Sequence, residues 1–141
     1  MGFRVAIDGS GPVNLDERCI TSVEFYSEIP QDSNARATDN GATLKIQGKM
    51  LFSLGAEAND GTINLAKWSV VPSESADCYR NVKVEVVAAG QVVRQYTLPN
   101  AFVMDYYEEL DDENGVGTFY LHLKQKKDLT SQTSIEGGFA Q

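Results

Sequence analysis

The chain of 141 residues contains a single histidine, His122, and this limits the acid–base chemistry that it can perform. A hydrolase built on Ser-His-Asp or Cys-His would need His122 as its base. His122 lies between Leu121 and Leu123 in a segment of alternating apolar and polar residues, which predicts a place on the polar face of a β-strand. The chain also lacks a Gly-x-Ser-x-Gly motif to expose a serine nucleophile. The sequence therefore predicts no catalytic residue and no enzyme activity.

A cluster of acidic residues suggests cation binding or carboxylate catalysis. Its members are Asp105, Glu108, Glu109, Asp111, Asp112 and Glu113. A calcium loop ending at Gly115 does not fit, because Leu110 occupies the first of the alternate positions that require Asp or Asn. Glycoside hydrolysis needs two carboxylates at a defined separation, which a hairpin tip does not determine. The simplest interpretation is a solvated hairpin, in which Asn114 and Gly115 form the turn.

The two cysteines and two early glycines provide no site for a metal or a cofactor. With one histidine, a four-ligand zinc site cannot be built from Cys19 and Cys78 without carboxylates. We expect two buried thiols in a reducing compartment, and a disulfide is the alternative if the protein functions outside the cell. Gly9 and Gly11 resemble the start of a dinucleotide fingerprint, but no third glycine and no helix pattern follow. We predict no metal and no cofactor.

The charge balance excludes some classes of partner. The chain has 12 Lys and Arg against 20 Asp and Glu, a net charge of −8, which opposes binding to nucleic acid or to an anionic membrane surface. No segment approaches the roughly 18 apolar residues that a membrane span requires. The first eight residues contain glycine and aspartate, which a signal peptide does not tolerate in its apolar stretch. We therefore expect synthesis and folding in the cytoplasm, with any export by another route.

The elements that would position these residues are mainly β-strands. The length fits one domain over residues 1–141. Side chains alternate with a period of two in most segments, and strands that are polar on one face indicate antiparallel pairing. Seven or eight short strands predict a small antiparallel β-barrel or a two-sheet sandwich. They are expected at residues 4–7, 21–27, 43–47, 81–87, 91–98, 102–107, 118–124 and 134–136.

Two segments interrupt the alternation. Residues 63–71 predict one short helix, capped by Asp60 or Thr62 and limited by Pro72. Its buried face is expected to carry Ile63, Ala66 and Val70, and Trp68 is expected to anchor the helix to the sheet. Residues 29–41 form a long irregular segment with almost no large apolar side chain, far longer than a hairpin loop of two to five residues. Long segments of this kind are functional or mobile.

The following motifs lie in these elements in chain order: Val23-Glu24-Phe25, Ser33-Asn34-Ala35-Arg36, Leu65-Ala66-Lys67-Trp68, the stretch from Tyr79-Arg80-Asn81-Val82 through Ala101-Phe102-Val103, Gly117-Thr118-Phe119 and Gln125-Lys126-Lys127-Asp128. With the order of the elements, they resemble the tube-forming proteins of contractile machines: the Hcp protein of type VI secretion and the tail tube proteins of contractile phages. The resemblance covers nearly the whole chain. It extends to small bacterial proteins often labelled membrane-associated protease, a label that the lack of a catalytic set argues against.

The resemblance implies a small β-barrel flanked by one helix, which assembles into hexameric rings that stack into a tube. It implies a structural subunit of a contractile injection system, a type VI-like secretion system or a phage-like tail. The partners would be further copies of the chain and the sheath or spike proteins of the same machine. The long segment would contact the next copy, with Arg36 as a candidate ion-pair donor. The candidate interface residues are Pro30, Asp32, Asn34, Arg36 and Asp39.

Two other functions remain open from the sequence. The first is a monomeric β-sandwich binding module, in which exposed aromatic rings hold a sugar or a peptide; the available rings are Tyr26, Tyr79, Tyr106 and Tyr107. The second is an enzyme that depends on His122 or on the acidic cluster. The sequence places the enzyme last of the three.

Overall fold

The computed structural model describes residues 1–28, 41–50, 62–112, 117–125 and 134–137. These residues form eight β-strands, one α-helix and one 3-10 turn. The strands are β1 Gly2–Ile7, β2 Val13–Leu15, β3 Ile20–Glu28, β4 Gly41–Met50, β5 Arg80–Ala88, β6 Gln91–Glu109, β7 Gly117–Gln125 and β8 Ser134–Gly137. Helix α1 spans Thr62–Ser69, and the 3-10 turn spans Ala76–Cys78.

The strands form one antiparallel sheet in the order β2-β1-β5-β6-β7-β4-β3, and β8 pairs with β6 beside this path. Strands β2 and β3 end the path, so the described strands do not close into a hydrogen-bonded barrel, although β1 packs against β3. The predicted mainly β, antiparallel class is confirmed, and the architecture is sandwich-like. The sequence analysis missed the three-residue strand β2.

Strand β6 joins two segments that the sequence predicted as separate strands. Its first half pairs with β5 and β8, and its second half pairs with β7. The change of partner occurs at Pro99 and Asn100, where Asn100 takes a positive φ of 56°. The Asn100 amide donates to Oδ1 of Asn81 at 3.2 Å, and Nε2 of the buried Gln125 donates to the Pro99 carbonyl at 2.9 Å. A bend of this kind lets one strand serve two sheets.

The core lies between the inward faces of the strands. The alternation predicted for β5 and β7 is confirmed, because their apolar side chains are buried and the residues between them are less so. The buried apolar side chains that follow the alternation are Val82, Val84, Val86, Phe119, Leu121 and Leu123, and Val87 is buried next to Val86. The hairpin between β5 and β6 also forms as predicted, with Gly90 at a φ of 75°.

Helix α1 forms where the sequence predicts it, but the predicted buried face is wrong. Leu65 and Trp68 are buried against the sheet, whereas Ile63 and Val70 are 54% and 78% exposed. The helix carries apolar residues on two sides. Its position on the sheet buries the side that carries Trp68. Trp68 is the predicted anchor: it is 2% exposed, and its Nε1 donates to the carbonyl of Cys78 at 2.9 Å.

The buried Arg80 joins the helix region to the segment that follows β1. Its guanidinium lies 5.3 Å from the ring centre of Trp68 and donates to Oδ2 of Asp77 at 2.8 Å and to the Gly11 carbonyl at 3.3 Å. Gly9 has a φ of +117°, and a Cβ there would lie 2.5 Å from Nε of Arg80. The two glycines that resembled a nucleotide motif therefore serve packing around this arginine.

Asp77 should make stability depend on pH. The Ser10 hydroxyl and the Arg80 guanidinium donate to this carboxylate, and they lower its pKa below the ordinary value of 3.8. Its contribution to stability is present above pH 3.8 and is lost as pH falls through the lower folded value. Urea titrations at a series of pH values measure the free energy of unfolding of wild type and of Asp77→Asn. We expect the difference between the two to shrink as the pH falls from 3.8 through the lower pKa of the folded state. Ser10→Ala, which removes one donor, should weaken this pH dependence; an unchanged profile would contradict the assignment.

Candidate assembly surfaces

The five candidate interface residues of the sequence analysis lie outside the described residues. Pro30, Asp32, Asn34, Arg36 and Asp39 all belong to residues 29–40. The flanking strands are described: β3 and β4 pair up to Glu28 and Gly41, which are opposite one another. Both ends of the connecting segment are therefore held at one end of the sheet, beside the outermost strand β3.

Strands β3, β4, β7 and the second half of β6 present a polar face opposite the core. Their register aligns Glu24, Lys45, His122 and Asp105 in one row across the four strands. The opposite charges of Glu24 and Lys45 thus lie side by side, and His122 lies between a lysine and an aspartate. This is the polar sheet position predicted for His122, and it is the arrangement expected of a stabilising cross-strand row.

Aromatic rings lie on the same face. Tyr107 and Tyr120 are cross-strand neighbours, with ring centres 5.1 Å apart and planes at 23°. Lys45 lies 5.0 Å from the ring centre of Tyr26, and the Tyr26 hydroxyl donates to Glu24 at 2.5 Å. This hydrogen bond and the charge of Glu24 raise the pKa of Tyr26 above its ordinary value of 10.0. Of the predicted platform rings, Tyr26 and Tyr107 are exposed, whereas Tyr106 packs against the core.

An apolar groove, which we call the end groove, lies where β6 begins. It has a volume of about 450 Å³ and is formed by β1, β3, β5 and β6. Phe25 and Tyr96 stack within it, with ring centres 4.9 Å apart. The side chains used below are Phe3, Val23, Phe25, Val93, Arg94 and Tyr96. The sequence analysis missed this groove, and its local signal is the consecutive apolar pair Val92-Val93, which breaks the alternation of the strand.

The acidic segment, residues 108–112, lies at the other end of β6. All five of its residues are exposed, as a solvated hairpin requires, and Leu110 among them is 65% exposed. Glu113 and the predicted turn residues Asn114 and Gly115 lie outside the described residues. The segment thus carries one large apolar side chain between pairs of carboxylates.

The described residues bear on three kinds of feature: a metal site, a disulfide and a membrane span. No three His, Cys, Asp or Glu side chains within the described ranges are grouped so as to hold a metal ion. Cys78 is buried and Cys19 partly buried, and the two thiols are not bonded to each other. In the described part of the chain, no helix is long and apolar enough to cross a membrane.

Comparison with known proteins identifies the fold. No family model and no curated protein matches the chain. Among solved structures, a chain of the anti-feeding prophage baseplate, resolved with six-fold symmetry, matches 96% of this chain and 93% of its own length, with a TM-score of 0.55 and 18% identity. Hcp1 from Flavobacterium johnsoniae matches 96% of each chain, with a TM-score of 0.53 and 12% identity. The chain has the Hcp-like fold.

A third solved structure with a similar fold comes from an extracellular machine. A chain of the PVC sheath-tube complex, an extracellular contractile injection system in its extended state, matches 97% of this chain and 89% of its own length. Its TM-score is 0.53 and its identity 10%. The resemblance drawn from the sequence motifs is confirmed at the level of the fold. Identities of 10–18% show a likeness of the fold alone.

Proposed function

We propose that the chain is a structural subunit that assembles into rings or tubes of a contractile injection, type VI-like secretion or phage-tail-like machine. The observation that carries the proposal is the match of nearly the whole chain to tube, cap and baseplate chains of such machines. A match over the whole chain leaves little of it for a separate activity. The function is then self-assembly, and the chain is not an enzyme.

The partners follow from the same proposal. The first partner is another copy of the chain, in a hexameric ring that stacks on the next ring. Sheath or spike proteins of the same machine are the second, and the assembled particle is exported or extracellular. The exposed edge of β3 and the residues between β3 and β4 form the proposed interface, which includes Pro30, Asp32, Asn34, Arg36 and Asp39.

The mass of the purified protein in solution tests the proposal directly. We expect light scattering to give a mass near six times the monomer mass of 15.4 kDa, or larger stacks, and negative-stain images of the same sample to show rings or tubes. A monomer at every protein and salt concentration, and also in the presence of a preassembled tube as a template, would overturn it.

Replacing both Asn34 and Arg36 with alanine is expected to abolish the stacking of rings. The segment has almost no large apolar side chain, so the loss of these polar groups should leave the fold intact. Sedimentation measures the assembly, and circular dichroism checks the fold. The matched control replaces Asn14 and Arg18, an exposed pair near β2, with alanine. Normal stacking of the Asn34/Arg36 variant would contradict the role of this segment.

One observation favours a second candidate, a binding module for a sugar or a peptide. The stacked rings of Tyr107 and Tyr120 line a depression of about 220 Å³, to which Gln47 and Glu109 contribute polar groups. Aromatic faces combined with polar groups suit a carbohydrate. A monomer that retains an oligosaccharide on an affinity column, and loses it on Tyr107→Ala, would favour this function over assembly.

A further inference from the structure

The end groove and the acidic segment have complementary shapes and surfaces. The end groove is concave and lined by the apolar side chains of Phe3, Val23 and Val93. The acidic segment presents Leu110, a large apolar side chain that is 65% exposed. Contact with water is unfavourable both for the exposed leucine and for the apolar groove. Insertion of the leucine into the groove removes both apolar surfaces from water.

The end groove and the acidic segment also carry complementary charges. Arg94 lies at the end groove, where its Nη1 donates to the Tyr96 hydroxyl at 3.4 Å. The ion pairs found among the described residues do not include Arg94, whereas Arg4 is paired with Glu17 at 3.1 Å. Carboxylates flank Leu110 on both sides, at Glu109 and Asp111. In a chain of net charge −8, a contact that places carboxylates against an arginine reduces the repulsion between copies.

The two surfaces lie at opposite ends of the longest strand. Val93, Arg94 and Tyr96 are near the start of β6, and Leu110 follows its last residue, Glu109. One copy therefore cannot readily satisfy its own groove with its own acidic segment. A second copy placed along the direction of β6 can do so.

We propose that Leu110 of one copy inserts into the end groove of the next copy, with the neighbouring carboxylates facing Arg94. Such a contact joins two different surfaces of the same chain, so each copy added leaves a new groove and a new acidic segment at the two ends. Contacts of this type continue as a stack. This inference rests on the proposed function, and it adds to the segment between β3 and β4 a second contact between stacked rings, on a different surface of the chain.

Leu110→Ala tests the apolar half of the contact. We expect it to raise the protein concentration needed for stacking by about tenfold or more, because each contact loses a buried leucine. The matched control is Val70→Ala, which truncates an exposed apolar residue on another part of the chain and should leave stacking unchanged. Equal stacking of the two variants by sedimentation would overturn the proposal.

Charge exchange tests the polar half. Arg94→Glu and Glu109→Arg should each weaken stacking. A mixture of the two should stack by alternation, because the end groove of each variant then meets the acidic segment of the other with opposite charges. The variant that carries both changes restores opposite charges at each contact, and we expect it to stack. Failure of the double variant, with both single variants folded by circular dichroism, would count against the pairing of Arg94 with the acidic segment.

Cross-linking separates this proposal from the proposed function. In a background with Cys19→Ala, the single variants Leu110→Cys and Val93→Cys are purified separately, mixed and oxidised. We expect a disulfide-linked dimer only in the mixture, and none when Val70→Cys replaces Leu110→Cys. Wild-type rings or tubes without this cross-link would overturn the proposed contact and leave the function standing. The cross-link without rings or tubes would support the contact and overturn the function, and the absence of both would overturn the two together.

Discussion

Replacing Trp68 with alanine is expected to reduce the free energy of unfolding by about 3–5 kcal/mol. Trp68 is the largest fully buried side chain among the residues that the structure describes; it packs α1 against the sheet and donates a hydrogen bond to the Cys78 carbonyl. Its removal leaves a cavity, an unsatisfied carbonyl and an Arg80 guanidinium without its aromatic contact. The loss is a large part of the roughly 5–15 kcal/mol that stabilises a domain of ordinary size.

Urea unfolding followed by circular dichroism measures this loss. Fluorescence does not serve, because Trp68 is the only tryptophan and the variant lacks it. Val70→Ala is the matched control: it lies two residues further along, is 78% exposed, and should change stability by less than about 0.5 kcal/mol. A loss below about 1 kcal/mol for Trp68→Ala would mean that α1 does not anchor the fold through this ring.

Replacing Arg80 with alanine is expected to reduce the free energy of unfolding by about 2–4 kcal/mol. Arg80 is 4% exposed, and its guanidinium donates to the carbonyls of Gly11 and Asp77 as well as to the Asp77 carboxylate. Alanine would leave those acceptors without their donors and would open space beside Trp68. The effect reaches the segment between β1 and β2, because Arg80 contacts the Gly11 carbonyl there, whereas the hydrogen bonds between Asp8 and Asn81 of β5 remain.

Arg80→Lys tests whether charge alone accounts for the effect. An ammonium group cannot reproduce the planar set of donors that reaches three acceptors at once, so we expect lysine to recover less than half of the loss. Thermal unfolding of wild type, Arg80→Ala and Arg80→Lys gives the comparison. Full recovery by lysine would show that the pairing with Asp77, rather than the geometry of the guanidinium, provides the stability.

The assembly predictions and the stability predictions concern different parts of the molecule. Trp68 and Arg80 lie in the core, whereas Leu110 and Arg94 are exposed at the ends of β6. Variants of the first pair should unfold more easily, and variants of the second pair should fold normally but assemble poorly. This separation allows a defect in assembly to be attributed to a surface rather than to a loss of folded protein.

The sequence by itself determined the positions of most strands and which of their faces are buried. In β7 the residues Phe119, Leu121 and Leu123 are buried and those between them face outward, as their alternation predicts. Side-chain direction along a strand depends only on the local backbone. The alternation of buried and exposed side chains can therefore be recognised in the sequence without knowing which strands pair. For the same reason His122 could be placed on a polar sheet surface, and the order of the elements was enough to indicate the fold.

Only the tertiary structure decided which helix face is buried, where β6 changes partner and where the end groove lies. Helix α1 has apolar residues on two sides, and its contact with the sheet selects Leu65 and Trp68 over Ile63 and Val70. The break at Pro99 is visible in the sequence, but whether a strand ends or bends there depends on Asn81 and Gln125, which are distant in the chain. The end groove combines four strands, so the apolar pair Val92-Val93 in one of them does not reveal a surface that exists only after those strands have come together.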